Sequence, residues 1–276
     1  MKKGNILFLS YIIILAILIL SNCDHSIPEK PFETGGNMNT AKIILIGEEH
    51  GIGWILDKQI EKWRYYYANE GLRDIFIEVS FFTGHFFNLW MESDNDDILD
   101  SIFEDMHGTF GGTPAFYEFY KRIKQEFPET VFHGIDIGHQ YSLTGERFLN
   151  YLIENGLQNT EQYNLTQEAI EQGRYYYDTL SLEYREYVMA NNILRKFDNK
   201  GWHFYQNLSI EYRENAMASN FIREFDNIGN IKIMGIFGTS HTNFSRNISG
   251  NIPTMARLLK NHYGDIIYFE NYRNSR

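Results

Sequence analysis

The chain carries a single cysteine, Cys23, so no disulfide can form within it and its stability has to come from a packed core. Positive charge is scarce: 25 lysines and arginines face 36 acidic residues, for a net charge of −11, which argues against nucleic acid as a partner. No apolar run reaches the roughly 20 residues that a membrane-spanning helix needs. The longest, residues 6–20, holds one serine, one tyrosine and no charge, follows Lys2 and Lys3, and ends at Leu20-Ser21-Asn22-Cys23 without a basic stop-transfer cluster. That is the layout of a signal peptide over residues 1–22, ending in a lipobox with Asn22 where a small residue is usual.

Export and lipidation of Cys23 are therefore expected, anchoring the chain to a bacterial cell membrane, inner or outer. The lipid membrane is one expected partner and a small-molecule or peptide substrate the other. Removal of residues 1–22 takes away two lysines and no acid, so the mature part carries −13. Proline is also sparse, and two of the five, Pro28 and Pro31, fall close to Gly35 and Gly36, so residues 23–40 read as the lipidated cysteine and a flexible tether. Residues 41–276 suit one large domain with aromatic residues enough to fill it.

Within that domain, short runs rich in isoleucine, valine and phenylalanine alternate with longer helical stretches. Strands are expected at about 42–46, 74–79, 130–136, 231–237 and 265–269. The alternation predicts an α/β fold with three layers, α/β/α, around a mainly parallel central sheet. Residues 143–229 hold no convincing strand and read as a helical insertion or cap. They contain a repeat offset by 28 residues, SLEYREYVMANNILRKFDNKG from Ser181 and SIEYRENAMASNFIREFDNIG from Ser209. Each copy places apolar residues at helical spacing and closes on a DN(K/I)G stop whose glycine suits a helix C-cap.

Four polar clusters fall at or near predicted strand ends: Glu48-Glu49-His50, Glu78, Asp136 with His139, and Ser240-His241. In open α/β sheets the crevice beyond the carboxyl ends of the strands binds ligands, so separate segments would deliver imidazoles and carboxylates to one place. Glu78 is the sharpest signal, because a carboxylate within IFIEV is costly to bury without a cation or several donors. Each cluster also has a plain structural reading: Glu78 at a sheet edge, His50 capping a helix, His241 in a loop. His85 lies near enough in sequence to Glu78 to be a reserve ligand, and the segment from His107 to Gly112 has the glycines of a lid.

The motifs GEEHG, IEVS, GID, the stretch from Arg213 to Asn220 (RENAMASN) and GTSH resemble, in this order, the signature of the superfamily of erythromycin esterases, ChaN-like and TraB/Tiki proteins. The short first turn is closer to the ChaN-like form and the GTSH turn to the TraB/Tiki form. The resemblance implies a hydrolase of an ester, amide or peptide bond, with His50 as general base or metal ligand, Glu49 or Glu48 orienting it, Glu78 polarising water, His241 as second imidazole, and Arg213 holding Glu78 or an anionic intermediate. It also implies, as alternatives, a divalent metal (manganese, cobalt or zinc) on His50, Glu78 and His241, or a haem- or iron-binding lipoprotein of the ChaN type. A binding lipoprotein without catalysis is a third reading. Asp136, His139, Ser240 and His85 are placed around the site, and Arg185 is the repeat counterpart of Arg213.

Overall fold

A computed structural model describes residues 31–180 and 199–273. The signal peptide, Cys23, Arg185 and most of the first repeat copy lie outside the described residues. Among the described residues no helix is long and apolar enough to cross a membrane.

The chain runs β1 (Glu33–Gly35), β2 (Ile43–Glu48), α1 (Gly53–Asn69), β3 (Asp74–Ser80), α2 (Phe81–Glu92), α3 (Asp97–Asp105), α4 (Pro114–Glu126) and β4 (Val131–Asp136). A π-turn (Tyr141–Gly145) leads into α5 (Glu146–Glu154) and α6 (Glu161–Arg174), which a second π-turn (Tyr175–Leu180) continues. The last part holds α7 (Asn199–Asn227), β5 (Ile233–Gly238), the single turn α8 (Thr239–Thr242), a small hairpin of β6 (Asn247–Ser249) and β7 (Ile252–Pro253), α9 (Met255–Tyr263) and β8 (Ile267–Asn271).

Six strands form one sheet in the order β1-β8-β2-β5-β3-β4. All neighbours are parallel except β1, which pairs antiparallel with β8. Parallel neighbours need long crossovers, which the helices supply. The expected strands are all present, and the expected three-layer α/β/α architecture is the one observed. β2 is buried along its whole length, as a central parallel strand must be. Alternate residues feed two cores. Ile44, Ile46, Ile75 and Ile77 face one side with the helices from α1 to α6; Ile43, Leu45, Phe76 and Ile135 face the other, with Met217, Phe221 and Phe225 of α7 and Met255 and Leu259 of α9.

Two local features differ from the sequence reading. Glu33–Gly35, within the stretch read as a tether, is an edge strand registered against Asn271, Glu270 and Phe269. Three residues without alternating hydrophobicity give no period to detect. In addition, residues 199–201, read as a helix stop, lie in the first turn of α7, whereas the matching stop in the second copy does end the helix, with Gly229 at φ +84°.

Candidate functional site

The carboxyl ends of β2, β3, β4 and β5 open on a cavity of about 470 Å³. The strand order explains why it lies there. β2 and β3 are consecutive in sequence but separated in the sheet by β5, so the crossovers diverge at this end and leave a crevice.

Glu48, the last residue of β2, is buried, and its Oε1 lies 2.9 Å from Nδ1 of His50. Its other oxygen accepts a hydrogen bond from Nε2 of Gln59 in α1 at 3.0 Å. A carboxylate oxygen facing Nδ1 favours the neutral imidazole with its proton on that nitrogen and the lone pair on Nε2. The Glu48 hydrogen bond, opposed by burial and helped by the charge of Glu78, raises the His50 pKa above the usual histidine value. Of the two glutamates offered by the sequence, Glu48 is therefore the one that holds His50.

Glu78 sits where the β3–β4 register shifts, between Ile77 and Ser80. A bulge turns a side chain away from the regular alternation, which accounts for a carboxylate in an apolar strand reaching the cavity. Gly134 permits the close approach of β4 at this point, since a Cβ there would lie 2.1 Å from the carbonyl oxygen of Ser80. Glu78 receives the backbone N–H of Gly238 on Oε2 at 2.6 Å and Nη2 of Arg213 on Oε1 at 2.6 Å. Burial alone would push its pKa up, but His241 and Arg213 outweigh burial and hold it below the usual carboxylate value.

Arg213, from α7, also binds Asp136 with two prongs, Nε to Oδ1 at 3.1 Å and Nη2 to Oδ2 at 2.6 Å. Its guanidinium thus bridges the ends of β3 and β4. Burial opposes the charge on Asp136, yet Arg213 and His139 hold its carboxyl well below the usual range. His139 presents Nε2 to Asp136 at 2.9 Å and Nδ1 to the hydroxyl of Tyr177 at 2.5 Å. Burial pushes the Tyr177 phenol up to about 12, so it stays protonated and can donate.

His241 is brought behind Glu78 and not to the cavity wall. It is 5% exposed, with Nε2 3.4 Å from Glu78 Oε1 and Nδ1 2.5 Å from Glu214 Oε1. Burial lowers its pKa, but Glu78 and Glu214 raise it further, so the imidazole carries a proton above the usual range. The sequence reading did not single out Glu214, although it adjoins Arg213. Ser240 is exposed on α8. His85 packs between Phe81 and Phe148, bonds Gln162 at 2.9 Å and does not line the cavity; burial drives its pKa down to about 4.

Gly238 closes the floor between His50 and Glu78. A Cβ there would lie 3.0 Å from His50 Nε2 and 3.4 Å from Glu78 Oε2, so these two atoms flank one small gap that only glycine leaves open. Residues 108–111 line the opposite side, where Phe110 stacks over His50 with ring centroids 6.0 Å apart. The expected lid segment is thus at the cavity.

The donors do not fit the suggested metal centre. Among the described residues no three histidine, cysteine or acidic side chains are arranged to hold an ion. Both Glu78 oxygens are engaged, and the guanidinium of Arg213 occupies the cationic position between Glu78 and Asp136.

The sequence matches no protein-family profile, and none of the curated proteins is similar to it. Solved structures are. A mutant of the erythromycin esterase EreC in its open conformation superposes with a TM-score of 0.53 at 12% identity, over 83% of this chain and 69% of that one. A protein from Bacillus cereus gives 0.53 at 14%, and a succinoglycan biosynthesis protein 0.52 at 14%. The chain spans less than two thirds of the length of these last two, 64% of each. The chain therefore shares its fold with the erythromycin esterase and with these two proteins.

Proposed function

We propose that the chain hydrolyses an ester, amide or peptide bond, with His50 as the general base for water. The observation that carries this reading is the 2.9 Å contact of His50 Nδ1 with Glu48, which leaves Nε2 facing the gap it shares with Glu78. Water in that gap gives its proton to Nε2 as its oxygen attacks the carbonyl carbon. The imidazolium that forms lies between two carboxylates, Glu48 and Glu78, which stabilise it. Negative charge developing on the carbonyl oxygen is met by Arg213, whose pKa its two carboxylate partners raise well above the usual arginine value against the effect of burial. Collapse of the intermediate expels the leaving group, which takes up the proton.

The resemblance in motif order and the shared fold agree with this reading. The signal-peptide layout adds a lipid anchor at Cys23, on a bacterial membrane, to the proposal; mass spectrometry showing no acyl mass on Cys23 of the native protein would remove that part.

The test is turnover of a panel of uncharged esters by the purified protein. His50→Ala and Glu78→Gln are expected to lower kcat/KM at least ~100-fold while circular dichroism and Tm show a folded chain. Folded variants that keep wild-type turnover would refute both the base role of His50 and the part of Glu78 in activating water.

A further inference from the structure

The cavity has two chemically distinct halves. One carries Glu48 with His50, Asp136 with His139, and Glu78, and the guanidinium of Arg213 is already shared by Glu78 and Asp136. A carboxylate or phosphate on a substrate would have to compete with Glu78 and Asp136 for that guanidinium. The other half is a wall of Met106, Phe110, Phe116, Phe119 and Tyr120.

Phe110 stands out in this wall. It is 80% exposed, although its ring lies nearly parallel to His50, at 24°. An exposed phenylalanine forgoes the gain of removing its ring from water. Nor is it the tip of a loose loop. Thr109 bonds the carbonyl of Met106 through Oγ1 at 2.7 Å, and a Cβ on Gly112 would lie 2.1 Å from the same oxygen, so the segment folds tightly back on Met106. Thr113 then caps α4, with Pro114 at its first position. A segment anchored at both ends thus presents an aromatic face beside the base.

From these observations we infer that the substrate is an ester or amide carrying an uncharged, flat apolar group next to the scissile bond, and that Phe110 selects it by stacking. The inference rests on the hydrolase reading for the bond cleaved and on the cavity for the group bound. Covering Phe110 with the apolar group excludes water around His50 as the bond is attacked. An aromatic pair of this kind contributes about 0.5–1.5 kcal/mol beyond burial, a factor of roughly 2 to 10.

The experiment compares methyl 3-phenylpropanoate, methyl butyrate and monomethyl succinate as substrates of the wild type and of Phe110→Ala and Phe110→Trp. In the wild type, kcat/KM is expected to fall in that order. Phe110→Ala should reduce the phenylpropanoate-to-butyrate ratio roughly 2- to 10-fold, and Phe110→Trp should restore it. An unchanged ratio in Phe110→Ala, or preference for the succinate, would overturn the inference while leaving the hydrolase reading intact. If the wild type turns over none of the three, it is the ester form of the hydrolase reading that fails; calorimetric binding of methyl 3-phenylpropanoate then decides the selectivity. Binding weakened in Phe110→Ala supports it, and equal or absent binding overturns it.

Discussion

The Glu214 carboxylate is shared between His241 and the start of α9: Oε1 meets His241 Nδ1 at 2.5 Å, and Oε2 accepts the backbone N–H of Met255 at 2.5 Å. One buried side chain therefore fixes the turn after β5 to two helices, and it aims Nε2 of His241 at Glu78. Replacement by glutamine puts an NH2 group against one of these donors. Glu214→Gln is expected to lose about 1–3 kcal/mol of stability, read as a lower urea midpoint at unchanged m-value. A midpoint equal to that of the wild type would show that the shared carboxylate holds nothing together.

Arg213 compensates two buried carboxylates at once. Removing it leaves only His241 beside Glu78 and His139 beside Asp136, and losing the shared cation of a buried pair costs up to about 3–5 kcal/mol. Arg213→Ala is expected to show this in urea unfolding. Arg213→Lys should recover only part, since an ammonium cannot reproduce the two-pronged match to Asp136. Full recovery by lysine would mean that charge alone matters at this position.

The pH dependence of turnover follows from the direction of the His50 shift. The base acts only when deprotonated, so kcat/KM should rise with pH through a value above the usual histidine pKa. The Glu48 hydrogen bond is the largest cause of that elevation. In Glu48→Gln the ascending limb should therefore move to lower pH, even where maximal turnover falls. A limb that stays in place would assign the titration to another group.

At the opposite end of the sheet, His133 lies between Asp74 at 2.8 Å and Glu224 at 3.3 Å. Burial lowers its pKa, but the two carboxylates raise it more, to above the usual value. A pKa higher in the folded than in the unfolded chain contributes stability that is fully present below the unfolded value. That stability is lost as pH rises through the folded value. Wild-type Tm should accordingly decline over this window, to which His241 contributes in the same sense. His133→Gln should show a shallower decline; an identical slope would exclude His133 as a contributor.

Much of this architecture was legible in the sequence because buried parallel strands are short, apolar and bounded, and because His50, Glu78 and Asp136 follow such runs directly. Other features left less trace. Glu48 and Glu49 are adjacent, and only the end of β2 decides which one turns inward to His50. Arg213 and Glu214 are also adjacent, yet about 100° apart around the helix, so the first serves the cavity and the second serves His241. Periodicity marked Met217, Phe221 and Phe225 as core, but not the polar neighbour buried beside them. His85 is close to Glu78 in sequence, and the turn into α2 carries it away into packing against Phe81 and Phe148.

The position of β5 also bears on how the protein is made. Among the described residues, 233–238 alone join β2 to the β3–β4 pair, and they follow all three strands in the chain. Until they leave the ribosome, β2 and β3 have unpaired edges, and long-range pairing of this kind is slow. A nascent or truncated chain ending before Ile233 would hold Glu48, His50, Glu78 and Arg213 without the strand that brings them into register. Assembly of the cavity is thereby deferred until Ile233–Gly238 has been made, and the edges of β2 and β3 stay open until then.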